Sequence, residues 1–515
     1  MRTGVPPDVT LAPADSLARR YSLKFAANVV GVCSSAVVQL LVPRALGPSV
    51  FGDFSFLTAF FTRLVGFLNL GSALAFYTRL SQRPGETGLV VFYSYVAAAV
   101  GVVTGLGIAV TYGVSANEYL WPGQRAALVF AAAGWGLLVW YSDTTSQVCD
   151  AVGLTVSSEK MRMAQRMSAA VLATALFASG MLSLPTYFAY QYAILIALIV
   201  AWWVLLRRHG MRVETWRLSR VELRGYFREF AEYCHPLVVY TFAGFLVGVL
   251  DRWLLQRYAG SVEQGFFGLS YQVGAFCFLF TSAMSPLIMR EFSVAFGTRD
   301  LDRMAHVFRR YIPSLYAVAA WLAAFTAVEG DRVVLFFGGS QFAAAAGAVS
   351  IMALYPVHQT YGQLSGSIFY ATGQTTRYRN IGLVSMVIGV PLTIGLLAAA
   401  RWWGFSQASA LALKFVVLQF IAVNVQLWYN ARFLGLSFWR YFGHQLAVLG
   451  SMLALAAGGR SLGDRVPGPE LLQFLAGGAV YSAAVLALVM AVPATFGLQR
   501  ADVSRLLTAV TGKLK

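Results

Sequence analysis

Charged side chains lie inside several long apolar segments of this sequence, where each needs a partner or a ligand. Arg63, Arg252 and Lys414 are cationic, and Asp251 is the one evident carboxylate among them. A charge at the centre of a bilayer costs about 2.5–3.5 kcal/mol on insertion scales. Three cations against one anion predict an interior that attracts negative charge, and the arginine fork suits phosphate. The chemistry indicated is binding of an anionic group.

The segments that carry these charges are long enough to cross a bilayer. Hydrophobic residues make up 58% of the 515 residues and charged residues only 12%, a balance typical of integral membrane proteins. Apolar runs of about 20 residues recur along the chain and predict about 14 transmembrane helices, so the expected fold class is all-α. Basic residues concentrate in alternate loops, which predicts that both termini are cytoplasmic.

Several classes of function are disfavoured by the same sequence. The net charge of +17 is explained by membrane orientation, so no nucleic-acid partner is expected. The four cysteines are scattered without a metal-binding spacing, which predicts neither disulfides, a metal site nor a cofactor. No long outer loop is present to hold an extracellular catalytic domain, so we do not expect an enzyme.

A four-residue motif occurs twice, after the first and seventh predicted spans. Its members are Arg44, Gly47, Gly52 and Phe54 in one copy, and Arg257, Gly260, Gly265 and Phe267 in the other. The differences 257 − 44, 260 − 47, 265 − 52 and 267 − 54 are all 213. We infer two copies of one six-helix bundle.

A second match, A-x-G-x-T, supports the duplication. It begins at Ala151 and again at Ala371, an offset of 220. Because six spans separate equivalent positions, the copies have the same orientation in the membrane and are parallel repeats. In transporters that are built from repeats of this kind, the substrate site lies near the bilayer midplane, between the copies.

Polar stripes identify the helix faces expected to line this site. In the first span Lys24, Asn28 and Gln39 lie on one face at helical spacing. Adding 213 to Gln39 gives Arg252, which is therefore predicted to face the same space and to contact the substrate. Asp251 lies roughly 100° further round the helix and is predicted to support its neighbour.

Each of these assignments has a structural alternative. Asp251 and Arg252 could form a purely structural ion pair. His358 lies on a polar face of the tenth span, where it could bind substrate or be a hydrogen-bonded structural histidine. For Lys414, in the twelfth span, only the charge indicates binding.

The chain resembles the polysaccharide (O-antigen, Wzx-type) flippases of the multidrug/oligosaccharidyl-lipid/polysaccharide exporter superfamily. The segments that carry the resemblance are ALGPSVFGDFSF, LDRWLLQRYAGSVEQGFFGLSYQVGAF, SPLIMREFSVAF and YATGQTTRYRN. It implies two six-helix lobes around a central cavity, with two accessory helices lining a groove for lipid. Arg63 and Arg252 match the kind of position at which related lipid flippases place cations for a diphosphate.

The resemblance also implies a substrate, a location and partners. The substrate would be an undecaprenyl-diphosphate-linked glycan, moved from the inner to the outer leaflet of the bacterial cytoplasmic membrane by alternating access. Membrane lipids, a polysaccharide polymerase and export proteins are the expected partners.

The expected domain organisation follows from the spans and the repeat. Residues 1–20 form a cytoplasmic tail, 21–210 the N-terminal lobe and 211–435 the C-terminal lobe. Residues 436–495 are the accessory helices, and 496–515 an amphipathic cytoplasmic tail. Residues 217–233 are predicted to form an interfacial helix with arginines on one side and aromatic residues on the other.

Three other functions remain open at this point. An ion-coupled drug or cation antiporter of the same superfamily would need carboxylates in its cavity, and only Asp251 is a good candidate. A membrane glycosyltransferase or polymerase would need catalytic groups on a substantial outer loop. An assembly partner that scaffolds polysaccharide synthesis without transport is the third.

Overall fold

The computed structural model describes residues 17–83, 85–211, 217–235, 238–278 and 284–498. Of residues 17–29, Leu74, Tyr240, Pro286 and Arg401 it describes only the backbone. Every regular element within these ranges is helical, which confirms the predicted all-α fold. The contacts divide the chain into two compact units, Met1–Gly265 and Phe266–Lys515. The finer division into lobes, accessory helices and tails stays a prediction.

The first unit begins with one very long helix and ends inside another. Its helices are α1 (Leu17–Leu68), α2 (Ser72–Gln82), α3 (Thr87–Gly113), α4 (Asn117–Leu120), α5 (Ala126–Ala151), α6 (Thr155–Ala178), α7 (Leu184–Arg208), α8 (Arg220–Cys234) and α9 (Val238–Cys277), of which α9 continues into the second unit.

The second unit continues with nine further α-helices in its described part. They are α10 (Ser285–Gly297), α11 (Leu301–Val328), α12 (Gly330–Gly338), α13 (Ala346–Met352), α14 (Tyr355–Ala371), α15 (Thr375–Trp403), α16 (Gln407–Phe433), α17 (Phe438–Gly463) and α18 (Glu470–Ala491).

Among the described residues, ten helical segments are long and apolar enough to cross a membrane. The first, Val30–Leu68, covers two of the predicted spans. Helix α6 overlaps the fifth predicted span, residues 164–184, but begins nine residues earlier and ends six residues earlier. Helix α9 covers nearly all of the seventh predicted span, residues 236–256, and part of the eighth, residues 264–288. The helices therefore accommodate the predicted set of about 14 crossings, as expected of a multi-pass membrane protein.

The long helices α1 and α9 are each broken by a glycine at the same point of the repeat. Gly47 in α1 has φ 71° and ψ 170°, and Gly260 in α9 has φ 80° and ψ −175°. Side chains with a Cβ rarely adopt this conformation, so the break requires glycine. Each long helix consequently consists of two arms, and the sequence repeat is reproduced in backbone geometry.

The A-x-G-x-T match is also a structural equivalence. Ala151 ends α5 and Thr155 begins α6, just as Ala371 ends α14 and Thr375 begins α15. The glycines between them have φ 83° and 70°. Both helix pairs are thus joined by the same short left-handed turn.

Helices α17 and α18 form a tight antiparallel pair within the second unit. Gly459 and Gly463 of α17 face Gly477 of α18, where an added Cβ on Gly463 would lie 2.7 Å from the Gly477 nitrogen. Small residues let helix backbones approach closely in membranes. The pair corresponds to the predicted accessory helices.

Candidate binding site

The second arm of α1 runs along the first arm of α9, and three predicted site residues lie on these two faces. Near one end, Ser55 accepts a hydrogen bond from Arg252. Further along, the guanidinium of Arg63 lies over Gly248. Beyond it, Phe67 stacks on Phe245 with ring centroids 5.0 Å apart. We call this interface between the second arm of α1 and the first arm of α9 the seam. Its contacts are polar near Ser55 and aromatic near Phe67.

Arg63 presents a cation without a counter-ion in this part of the molecule. Its side chain is half-buried, and within the described residues it forms no hydrogen bond or ion pair. The guanidinium occupies the space that a side chain on Gly248 would fill. The second predicted span begins at Phe51, and Arg63 lies 12 residues, roughly 18 Å, further along the helix. This distance predicts a position near the middle of a hydrocarbon core of about 30 Å. An anion at this depth would find a ready partner.

Arg252 lies one turn from Gly248 in a different environment. Only 8% of its surface is exposed, and its Nη1 donates to Ser55 Oγ at 3.1 Å and to Gln264 Oε1 at 3.2 Å. The Gln264 amide donates back to the Arg252 carbonyl. These bonds hold the guanidinium between the two arms of α9 and α1. The contact of Arg252 with substrate stays a prediction, and the geometry adds a structural role.

Asp251 is buried beside Arg252, with 3% of its surface exposed.

A second polar cluster lies past Ser55, towards the glycine breaks. There Asp53 accepts hydrogen bonds from Gln124, at 2.6 Å, and from Ser261. Gln256 in turn donates to Ser261 at 3.0 Å. Hydrogen-bonded polar side chains therefore close this end of the seam, while the Oε1 atoms of Gln124 and Gln256 have no partner among the described groups.

The remaining predicted residues of the first span are only partly described. Lys24 and Asn28 lie on the α1 backbone, but their side chains lie outside the described residues. Gln39 is half-buried, and its Oε1 has no hydrogen-bond partner among the described groups. A binding role for all three stays a prediction.

Lys414 and His358 are both buried inside the second unit. Lys414, on α16, is 2% exposed, and its Nζ lies 4.7 Å from the Phe415 ring centroid. His358, on α14, is 4% exposed, and its ring meets that of Phe420 edge-on at 5.0 Å. The His358 Nδ1 is buried without a hydrogen-bond partner in the described part of the chain. Their binding roles stay predictions.

Two charged residues within helices of the first unit are absent from the sequence-based set. Arg166 of α6 lies with its guanidinium over Gly31 of α1, much as Arg63 lies over Gly248. The fourth predicted span covers residues 126–142 and left open a continuation past Tyr141. Helix α5 does continue, to Ala151, so that Asp143 lies within it, and the Asp143 side chain is exposed. The sequence signal that could have placed Asp143 in a membrane helix is the run of small polar residues after Tyr141, because such residues are compatible with a helix that continues.

Ion pairs tie the α17–α18 pair to the start of α12. Arg460 donates to both carboxylate oxygens of Asp331, at 2.8 and 2.6 Å. Arg332 bridges Glu329, at 3.0 Å, and Asp464, at 2.5 Å. The hydrogen bonds from Arg460 lower the pKa of Asp331, whereas burial raises the pKa of Glu329.

A mostly apolar cavity of about 300 Å³ lies between α11 and α18. Trp321, Phe325, Phe474 and Gly478 contribute to its wall. The Tyr481 hydroxyl donates to the Trp321 carbonyl at 2.8 Å and fixes the two helices at this level. One wall of the cavity is α18, which belongs to the accessory pair that the family resemblance implies to line a lipid groove.

Helix α8 agrees with the predicted interfacial helix in position and in its charged side. It begins with a capping box in which Ser219 and Glu222 bond reciprocally. Its arginines are exposed, and Phe230 packs on Phe92 with centroids 5.0 Å apart. Burial and a hydrogen bond to Glu86 raise the pKa of Tyr226. Phe227, predicted on the apolar side, is 68% exposed and free to enter a headgroup layer.

Comparison with known proteins identifies the fold. The structure matches the lipid II flippase MurJ in an inward closed conformation, with a TM-score of 0.65, 11% identity, and coverage of 91% of this chain and 98% of that chain. It matches an inward-facing multidrug-resistance MATE transporter with a TM-score of 0.58, 12% identity, and coverage of 81% and 98%. The chain therefore shares its fold with these transporters.

An outward-facing MATE transporter of the MOP superfamily matches with a TM-score of 0.52 at 12% identity, over 84% of this chain and 99% of that one. No protein-family model and no curated protein matches the sequence. The structural matches confirm the predicted resemblance at the level of the fold. These matched proteins are transporters rather than enzymes by their descriptions. Of the described residues, no cluster of His, Cys, Asp and Glu could hold a metal ion.

Proposed function

We propose that this protein is a flippase that moves a lipid-linked oligosaccharide, of the undecaprenyl-diphosphate class, from the inner to the outer leaflet. The observation that carries the proposal is Arg63, a half-buried cation at mid-membrane depth without an anionic partner in the described part of the chain. Charged residues inside membrane segments are rare, because placing a charge in the bilayer costs free energy, and they typically mark substrate or ion pathways. A diphosphate supplies the missing negative charge.

The surroundings of Arg63 suit transient binding of such a group. Gly248 leaves space for the guanidinium, because a side chain at that position would occupy the same place. Arg252 remains fixed by Ser55 and Gln264 and adds positive potential one turn away. A charge-assisted hydrogen bond contributes about 1.5–3 kcal/mol. One guanidinium that is already hydrogen-bonded and one that has no partner among the described residues would together hold a diphosphate while still allowing its release.

The lipid tail requires a separate apolar surface. The cavity between α11 and α18 is lined by Phe325, Phe474 and other apolar side chains and suits a prenyl chain. MurJ, of the same fold, is described as a lipid II flippase, which makes a lipid cargo reasonable for this chain. Alternating access would then expose the headgroup site to each side of the membrane in turn.

One observation supports an ion-coupled antiporter as the second candidate. Asp143 gives α5 an exposed carboxylate that forms no hydrogen bond or ion pair with any described residue. Together with Asp251 it provides acidic groups that a cation-coupled exporter needs. The same carboxylates would serve equally in coupling lipid transport to an ion gradient.

Reconstituted vesicles separate the two functions. The intact protein is tested with a labelled diphospho-lipid oligosaccharide, whose arrival in the opposite leaflet is followed with a membrane-impermeant probe. The same vesicles are tested for efflux of a cationic dye under a proton or sodium gradient. We expect lipid translocation without dye efflux. Gradient-driven dye efflux without lipid translocation would replace the proposal by the antiporter.

A further inference from the structure

A second groove, between α15 and α16, has the architecture of a lipid-binding site and is separate from the cavity between α11 and α18. Its volume is about 280 Å³. Arg377, Asn380 and Tyr429 lie at one end, and the remaining wall is mainly apolar. The two helices run antiparallel through a short connection, so their matching ends lie at the same depth.

The apolar wall is built from one stripe on each helix. The stripe residues are Ile381, Val384 and Ile388 on α15, and Leu418, Ile421 and Val425 on α16. They recur at steps of three and four residues and therefore share one face of each helix. Val384, Ile388, Ile421 and Val425 are each at least 40% exposed, so the groove is open along its length.

The polar end of the groove carries an available positive charge. Arg377 is exposed, and its Nη1 donates to Gln374 Oε1 at 2.6 Å. The guanidinium carbon lies 6.0 Å from the Tyr429 ring centroid, which holds the charge at the groove mouth. Arg377 forms no ion pair with a carboxylate in the described ranges. A phosphodiester would complete this arrangement.

The length of the groove selects among lipids. From Arg377 to Ile388 is 388 − 377 = 11 residues, and from Leu418 to Tyr429 is 429 − 418 = 11 residues. Eleven residues of helix span roughly 16 Å, about half of the 30 Å hydrocarbon core. The groove therefore extends over one leaflet, with its charge at the headgroup level. This matches a phospholipid of the leaflet on the basic, predicted cytoplasmic side.

We propose that the α15–α16 groove binds an anionic glycerophospholipid of that leaflet, its phosphate at Arg377 and one acyl chain along the two apolar stripes. The site is independent of the cargo site at Arg63. It would make the second unit sensitive to the lipid composition of the membrane.

Photocrosslinking of the full-length protein tests the proposal. Vesicles of phosphatidylcholine contain a trace of phosphatidylglycerol with a diazirine in one acyl chain, and crosslinks are mapped by peptide mass spectrometry. We expect labelling of both stripes, and much less from the matched phosphatidylcholine probe. Arg377→Gln should lower the phosphatidylglycerol labelling about fivefold, the effect of one basic residue at an anionic surface.

Arg432→Gln is the matched control, since Arg432 is an exposed arginine at the same end of α16 that lies against Trp428 rather than in the groove. It should leave labelling within about twofold. Ser385→Trp, which fills the groove without removing charge, should abolish labelling in protein that remains monodisperse. Equal losses in Arg377→Gln and Arg432→Gln, or equal labelling by both probes, would overturn the proposal.

Competitors distinguish the sources of phosphate. Soluble glycerol phosphate should not reduce the labelling, because it lacks the acyl chain. Displacement by it would mean a simple anion site and would contradict the proposal. Displacement by the diphospho-lipid oligosaccharide at equal concentration would make the groove part of the cargo path and would likewise contradict it.

Discussion

Gly52 and Gly265, which are equivalent in the sequence repeat, each pack directly on the backbone of the other copy of the motif. A Cβ on Gly52 would overlap the Ser261 carbonyl oxygen, and one on Gly265 would overlap that of Pro48. Pro48 and Ser261 are themselves equivalent, since 261 − 48 = 213. The two contacts are therefore equivalent under the repeat. Each copy of the motif packs on the backbone of the other copy through its second glycine.

Alanine at either glycine should therefore destabilise the protein. At Gly52 the new methyl group meets backbone atoms, which cannot move away as a flexible side chain can. We expect a loss of about 1–3 kcal/mol, typical of overpacking, and a lower melting temperature in detergent. Gly66→Ala is the control on the same helix, because no atom lies within 4 Å of its Cβ position. Equal melting temperatures for Gly52→Ala and Gly66→Ala would refute the close contact.

Gly248→Ala should affect binding more than stability. Its methyl group would meet the far end of the Arg63 side chain, which is flexible and can be displaced. We expect a melting temperature near that of the wild type and weaker binding of a diphospho-lipid, measured by competition with a fluorescent analogue. Unchanged affinity would show that the position of Arg63 over Gly248 is irrelevant to binding.

Substitutions of Arg252 and Gln264 should, in contrast, lower the stability of the folded protein. Gln264→Leu leaves the buried guanidinium with one fewer acceptor, and Gln264 itself has 0% of its surface exposed. Removing one partner of a buried charged hydrogen bond costs about 1–3 kcal/mol. Thermal unfolding should show this loss for Gln264→Leu and for Arg252→Gln. A melting temperature unchanged in both variants would argue against the structural role.

The ion pairs at α12 predict a pH dependence. The pKa of Asp331 is lowered below its usual 3.8, so its contribution to stability is present above that pH and is lost as the pH falls through the lower folded value. Asp331→Asn should lower the melting temperature by about 1–3 °C at pH 7, because the pair is partly exposed. The difference from the wild type should shrink in acid. A difference that grows below pH 4 would contradict the assignment.

Local sequence rules predicted much of this fold. The glycines Gly47 and Gly260 were found from a constant offset, because left-handed backbone restricts the choice of residue and leaves a readable mark. Apolar length likewise indicated the spans. The sequence left the end of α5 open, either near residue 142 or beyond Tyr141, since Asp143 and the polar residues around it resemble a loop unless the packing that buries their neighbours is known.

The candidate site was predicted less completely, for a physical reason. The sequence singled out Arg63 and Arg252 alike, because both place a guanidinium inside an apolar run. Only coordinates show that Arg252 is enclosed by Ser55 and Gln264 whereas Arg63 lies over a glycine. Hydrogen-bond partners far apart in sequence, such as Ser55 and Arg252, are invisible to periodicity.

The most direct test of the account is the translocation rate of a labelled diphospho-lipid oligosaccharide in vesicles that contain the Arg63→Gln protein. Loss of one charge-assisted contact should lower the rate at least about tenfold while the melting temperature is retained. Arg257→Gln, which removes an exposed arginine from α9, should stay within about twofold of the wild type. A folded Arg63→Gln protein that translocates the lipid at the wild-type rate would contradict the proposed binding of the diphosphate by Arg63.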